Sequence, residues 1–183
     1  MEEQTLGFSW FSAFCRKTFL HESLLNVLFT EKLCNLELSR LHKSSYDCFE
    51  QLFYVINRRS EKLSQSYHSN YFEVEDLDLV GIESLWKIIL CVEDVSISED
   101  AITFLSSLYE HLAPSLRNQQ DELRKDLIHK IMKELDKGTS LTLSAGLQQA
   151  EFRINRCLTL LQKFVELFDT NNNNNNNNNL LNR

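Results

Sequence analysis

The chain has 183 residues, 43% hydrophobic and 25% charged, with four glycines and one proline. That mixture supports a packed core and excludes a disordered chain, and the shortage of turn residues argues against a β-sandwich or an α/β fold. A net charge of −7 argues against nucleic-acid binding, which needs a basic face to neutralise phosphates.

Residues 8–33 are rich in aromatic and aliphatic residues: Phe8, Trp10, Phe11, Phe14, Phe19, Leu24, Leu25, Leu28 and Phe29. They read as helix with a break near His21-Glu22-Ser23, and as core; an exposed partner groove is the alternative. The N-terminus begins acidic and lacks the charged region of a signal peptide. Residues 38–57 form the next helix, with Phe49, Leu52, Phe53 and Ile56 on one stripe. The run Asn57-Arg58-Arg59 with Lys62 is the densest basic stretch. It reads as a solvated helix end, with a phosphate or acidic partner as the alternative. Residues 58–77 have no helical period and read as the longest loop, tacked down by Tyr71, Phe72 and Val74.

Residues 76–114 organise the chain as a helical hairpin. Leu79, Ile82, Leu85, Trp86 and Ile89 share one face, and Ala101, Ile102, Leu105, Leu108, Tyr109 and Leu112 share another. Asp76 and Asp78 stand at the start of the first helix, where carboxylates complement the dipole; no calcium-loop spacing accompanies them. Ser96 and Glu99 have capping-box spacing for the second helix. Pro114 marks its stop. A further helix carries Leu116, Leu123, Leu127, Ile131 and Leu135. Its polar face is Asp121, Glu122, Arg124, Lys125 and Asp126, and Lys137-Gly138 reads as its C-cap. The last helix covers about 144–168, with Leu147, Ala150, Ile154, Leu158, Leu161, Val165 and Phe168 in helical period. Asn171–Asn179 is a homopolymer that cannot build an apolar core, and it reads as a disordered tail.

The expected fold is therefore all-α: an armadillo/HEAT-like α-solenoid, or an antiparallel array of five to six helices. Three parts are distinguished: an aromatic-rich helical segment at 1–37, an armadillo-like helical domain at 38–169, and the Asn-rich tail at 170–183. Cys15, Cys34, Cys48, Cys91 and Cys157 are odd in number and widely spaced, with no Cys-x-x-Cys pair. They read as buried free thiols of a reducing compartment, with Cys48, Cys91 and Cys157 beside apolar positions. A cytoplasmic location is expected, with the nucleus also open. His21, His42, His68, His111 and His129 are scattered, and Gly7, Gly81, Gly138 and Gly146 are isolated. No catalytic, metal or cofactor-binding residue is named, and no cofactor is expected.

From Tyr46 onward four segments carry a family resemblance: YDCFEQLFYVINRRSEKL, DLDLVGIESLWKIIL, AITFLSSLYEHLAPSL and FRINRCLTLLQKFVELF. In this order they resemble the helical, armadillo-like region of very large ubiquitin-specific proteases of the fat-facets type, over about residues 46–168. The most specific part is Gly81-Ile82-Glu83-Ser84-Leu85-Trp86 followed by Tyr109-x-x-Leu112-x-Pro114. In that family hydrolysis belongs to a separate papain-like domain with a Gly-Asn-Thr-Cys-Tyr box and a later His box. This sequence has neither, so no catalytic residue carries over. The resemblance implies a non-catalytic scaffold that holds protein partners or substrates of the ubiquitin pathway, with no nucleic acid and no membrane among its partners. A segment of a larger enzyme, a truncated relative and a free-standing protein are all compatible with it. An unrelated armadillo-like adaptor in trafficking or signalling is the alternative.

Overall fold

The computed structural model describes residues 21–65, 72–141 and 147–181. Phe8, Trp10, Phe11, Phe14, Phe19, Cys15, His68 and Tyr71 lie outside these residues. The described chain is an antiparallel array of helices with one two-stranded hairpin. Its elements are α1 (Glu22–Val27), running into a π-helical turn (Leu28–Leu33), a 3₁₀ turn (Leu38–Arg40), α2 (Lys43–Arg59), β1 (Leu63–Gln65), β2 (Phe72–Val74), α3 (Ile82–Cys91), α4 (Val95–Glu110), α5 (Pro114–Arg117), α6 (Gln120–Leu141) and α7 (Leu147–Leu181).

The stripe expected on α2 is the inner face. Phe49, Leu52, Phe53 and Ile56 are all buried. Their rings continue into neighbouring elements: Phe49 stacks on Phe29 at 5.3 Å, and Phe53 meets Phe104 of α4 edge-on at 5.1 Å. Such edge-to-face and offset pairs are the preferred aromatic geometries. At the start of α2, the Ser45 hydroxyl accepts from the His42 amide at 2.8 Å.

The segment 58–77 is not a plain loop. β1 and β2 pair antiparallel, Leu63 opposite Val74. The Val74 amide donates to the His111 carbonyl at 2.8 Å, and the Ala113 amide donates to the Val74 carbonyl at 2.9 Å. Strands this short leave no periodic signal to read. What fixes them is the backbone pairing of Val74 with the chain leaving α4, together with burial of Leu63 and Val74.

The central hairpin α3–α4 forms where expected, with Leu79, Leu85, Trp86, Ile89, Ala101, Ile102, Leu105, Leu108 and Leu112 buried. Its ends differ from expectation. Helix α3 starts at Ile82, after Gly81 at φ +90°. Asp76 and Asp78 lie before it: the Asp78 amide donates to the Asp76 carboxylate at 2.9 Å, and Lys62 pairs with Asp78 at 3.2 Å. The cap of α4 is Asp94, not Ser96. Its carboxylate accepts from the Ser96 amide at 2.9 Å and from the Ser96 hydroxyl at 2.7 Å. Asp is as good an N-cap as Ser and adds a favourable charge at the dipole's positive end. Pro114 opens α5 and does not close α4, which ends at Glu110. At the first helical position proline gives up only an amide that has no helical partner.

Helices α6 and α7 form a second antiparallel pair. Arg124 lies over the Phe168 ring at 4.4 Å, and Glu134 pairs with Arg153 at 2.9 Å. Lys137-Gly138 is not a cap, since α6 continues to Leu141. A Cβ at Gly138 would stand 3.2 Å from Ile154 Cγ1, so this glycine permits close helix approach. Arg124 also leaves the solvated face assigned to it, because its side chain is only 14% exposed. The backbone of α7 continues helically through the Asn tract to Leu181, where composition led to an expectation of disorder. Asn is a weak helix former, and the tract extends the helix already set by the packed turns before it.

Candidate functional site

The face that α7 buries is rotated from the one its period implied. Ala150, Cys157, Leu160 and Phe164 are fully buried, and Phe164 meets Tyr109 of α4 edge-on at 5.4 Å. Leu147, Leu158 and Val165, read as part of the inner stripe, are 74%, 51% and 54% exposed. A helix apolar on more than half its circumference fits either face, so periodicity alone could not choose. On α6, Ile128 and Met132 are likewise exposed. Arg124–Phe168 and Glu134–Arg153 fix the antiparallel register of the two helices.

A cleft lies where the end of α3 meets the first turns of α7. It is a cavity of about 520 Å³, with Leu90 and Phe152 as apolar walls and Cys91, Glu93, Arg153 and Arg156 supplying polar groups. Cys91, expected to be buried, is exposed. It is the last residue of α3 and faces away from the Leu85–Ile89 stripe. Arg153 donates to the Cys91 sulfur at 3.3 Å. Arg156 is 7% exposed, and neither of its terminal guanidinium nitrogens has a hydrogen-bond partner among the described residues. Burial pushes the Arg156 guanidinium down from its ordinary value, partly offset by Cys91. Its guanidinium carbon stands 5.5 Å from the centre of the Phe152 ring.

The remaining thiols sit differently. Cys48 and Cys157 are buried. Burial pushes the Cys157 thiol up to about 11, and burial also raises that of Cys34. Raised thiols are poor nucleophiles at neutral pH. Among the histidines, His111 Nδ1 lies 2.8 Å from the Ser107 carbonyl and the ring packs on Phe72, while His21 and His129 are exposed. Among the described residues no group of three or more His, Cys, Asp or Glu side chains could hold a metal ion, and no helix is long and apolar enough to cross a membrane.

The basic stretch also divides. Arg58 and Arg59 are exposed, but Asn57 is fully buried. Its amide nitrogen donates to the carbonyls of Phe53 at 2.9 Å and Val80 at 3.0 Å, and its oxygen accepts from the Val80 amide at 2.8 Å. Asn57 is thus a clasp holding the turn before α3. A polar residue one turn beyond an apolar stripe gives no sign of such a role in sequence.

No family model matches the chain. Curated proteins do. Ubiquitin carboxyl-terminal hydrolase 9Y of Mus musculus is 28% identical over 162 residues, covering 83% of this chain and 6% of the relative. The Homo sapiens 9Y protein is 26% identical over 78% of this chain, again 6% of its length. Ubiquitin carboxyl-terminal hydrolase 24 of Mus musculus is 27% identical over 86% of this chain and 6% of its length. The chain is homologous to a segment of these large hydrolases, as the resemblance implied, and spans about 6% of their length.

Proposed function

We propose that this homologous segment is a non-catalytic helical scaffold that holds protein partners or substrates of the ubiquitin pathway. The observation that carries the reading is the match of four-fifths of the chain to so small a part of proteins named ubiquitin carboxyl-terminal hydrolases. The described architecture fits it. Helical arrays stack rigid elements and present extended side faces, which suits holding and not cutting. A thiol hydrolase needs an accessible thiolate, a histidine within hydrogen-bond reach and amides poised for an oxyanion. Cys48 and Cys157 are shut inside the core, and Cys91 has Arg153 as its polar neighbour. A scaffold of this kind would work in the cytoplasm or nucleus.

The test is reaction of the full chain with ubiquitin carrying a C-terminal electrophile. No covalent adduct is expected. An adduct lost in a single Cys→Ala variant would show that the chain is itself a thiol enzyme and would overturn the reading.

A further inference from the structure

We propose that the seam where α2 packs on α4 is an acid-tightened contact, in which protonation of Glu50 strengthens the hold of α2 on the central hairpin. Lys43, Tyr46, Asp47, Glu50 and Tyr54 recur at helical spacing and share one face of α2. Contacts from that face to α4 bracket Glu50. On one side Lys43 pairs with Asp100 of α4 at 2.5 Å and with Asp47 at 3.1 Å, and it lies over the Tyr46 ring at 5.2 Å. On the other, the Tyr54 ring meets Phe104 of α4 at 5.1 Å and Phe72 of β2 at 4.9 Å. Glu50 stands between these contacts and is partly buried. Tyr46, one turn before it, is fully buried, with its hydroxyl unpartnered among the described residues.

The charges along the seam do not balance. Among the described residues, Lys43 is the cation acting on Glu50, and Asp47 and Asp100 are the anions. One lysine thus faces three carboxylates, and it is already held at ion-pair distance by Asp47 and Asp100. Tyr46 and Tyr54 add no charge, because burial raises both hydroxyls above their ordinary value. A partly desolvated carboxylate beside two others costs free energy, and protonation removes that cost. Burial raises the Glu50 carboxyl above its ordinary value; Lys43 opposes the rise, and Asp47 and Asp100 add to it. The folded chain therefore keeps this proton at pH values where the unfolded chain has lost it. The stability it contributes is full below the ordinary Glu value, about 4.3, and is lost as pH rises through the folded value. The contact so weakened joins the Phe29, Phe49 and Phe53 rings to Phe104 of α4. This assignment rests on the geometry of the seam and not on the ubiquitin-pathway reading.

Glutamine keeps the shape of glutamate without its charge, so Glu50→Gln isolates the ionisation. The experiment measures urea midpoints of the full chain, wild type beside Glu50→Gln, from about pH 8 down to about pH 4, the ordinary Glu range. The variant should have the higher midpoint at the alkaline end, and the gap should close as pH falls. A second measurement follows the side-chain carboxyl carbon of Glu50 by NMR in the unmodified chain, where it should titrate above the ordinary Glu value. In Asp100→Asn that midpoint should move down, because the anion across the seam is gone and Lys43 is released toward Glu50. A gap that is constant with pH, or a wild-type midpoint at or above the variant's at the alkaline end, would overturn the proposal. So would a Glu50 carboxyl that titrates at or below the ordinary value, or one that Asp100→Asn leaves unmoved. The titration in the unmodified chain decides the matter even if a variant folds poorly.

Discussion

At the scale of single residues, Gly81 and Asn57 hold the turn that leads into α3. Gly81 holds φ +90°, and a Cβ there would come within 2.6 Å of Phe29 Cε1 and Cζ. Gly81→Ala should lose roughly 1–2 kcal/mol from the left-handed backbone alone, with the clash adding to it. Asn57→Ala should lose about 1–3 kcal/mol for each Val80 backbone group left unpaired. Denaturant melts check both; wild-type midpoints would show that the turn is held by other means. Asp94 differs in kind because its effect depends on pH. The Ser96 hydroxyl first, then the Ile97 and Ser96 amides, hold its carboxyl below the ordinary value. A lowered folded-state value stabilises the protein above the unfolded carboxylate range and is lost as pH falls through the folded value. Asp94→Ala should therefore cost about 1 kcal/mol near neutrality, the usual loss for an N-cap, with the gap to wild type closing in acid. A gap that stays constant down to pH 2–3, below the ordinary carboxylate range, would contradict the assignment. Arg156→Met should move the other way and be neutral or stabilising in the same melts, since it removes two buried donors that have no partner among the described residues.

At the scale of elements, the sequence was most readable where one face alone is apolar. The stripes of α2, α3 and α4 are buried as their spacing requires, Trp86 and Leu105 among them. Trp86→Ala and Leu105→Ala should cost about 3–5 and 2–5 kcal/mol respectively. Boundaries were less readable because the residues that mark them have two uses. Pro114 can follow a helix or begin one, and Asp94 and Ser96 are both good caps. Gly138 can end a helix or let a neighbour approach. The β1–β2 hairpin left no trace, since its stability comes from pairing with the chain after α4. The cleft was invisible for a related reason: Cys91, Glu93 and Arg156 come together only through the packing of α7 on the central hairpin. Helix α7 supplies the sharpest test of packing over periodicity. Leu160→Ala and Phe164→Ala should destabilise by about 2–5 kcal/mol, whereas Leu158→Ala and Val165→Ala should stay within about 0.5 kcal/mol. The opposite ranking in thermal melts would restore the face that spacing alone had implied.

At the scale of the whole molecule, the acidic balance and the absence of a basic stripe predict no gel shift with nucleic acid at physiological salt. Deleting 170–183 should leave the melting temperature unchanged, because nine of these residues are an Asn tract that brings no apolar surface to a core; a large drop would mean that the tail docks on the body. The central claim is that this segment holds ubiquitin-pathway proteins and does not cut. The outer side of the α6–α7 pair, with Leu158 and Val165 exposed, is where a change can be made without touching the core. The most direct measurement is quantitative affinity capture with the full chain as bait, wild type beside Leu158→Glu/Val165→Glu, with matched circular dichroism for the two. The scaffold account predicts that ubiquitin-pathway proteins are enriched on the wild-type chain and lost from the variant. Enrichment confined to proteins outside that pathway, or identical lists for both baits, would contradict it.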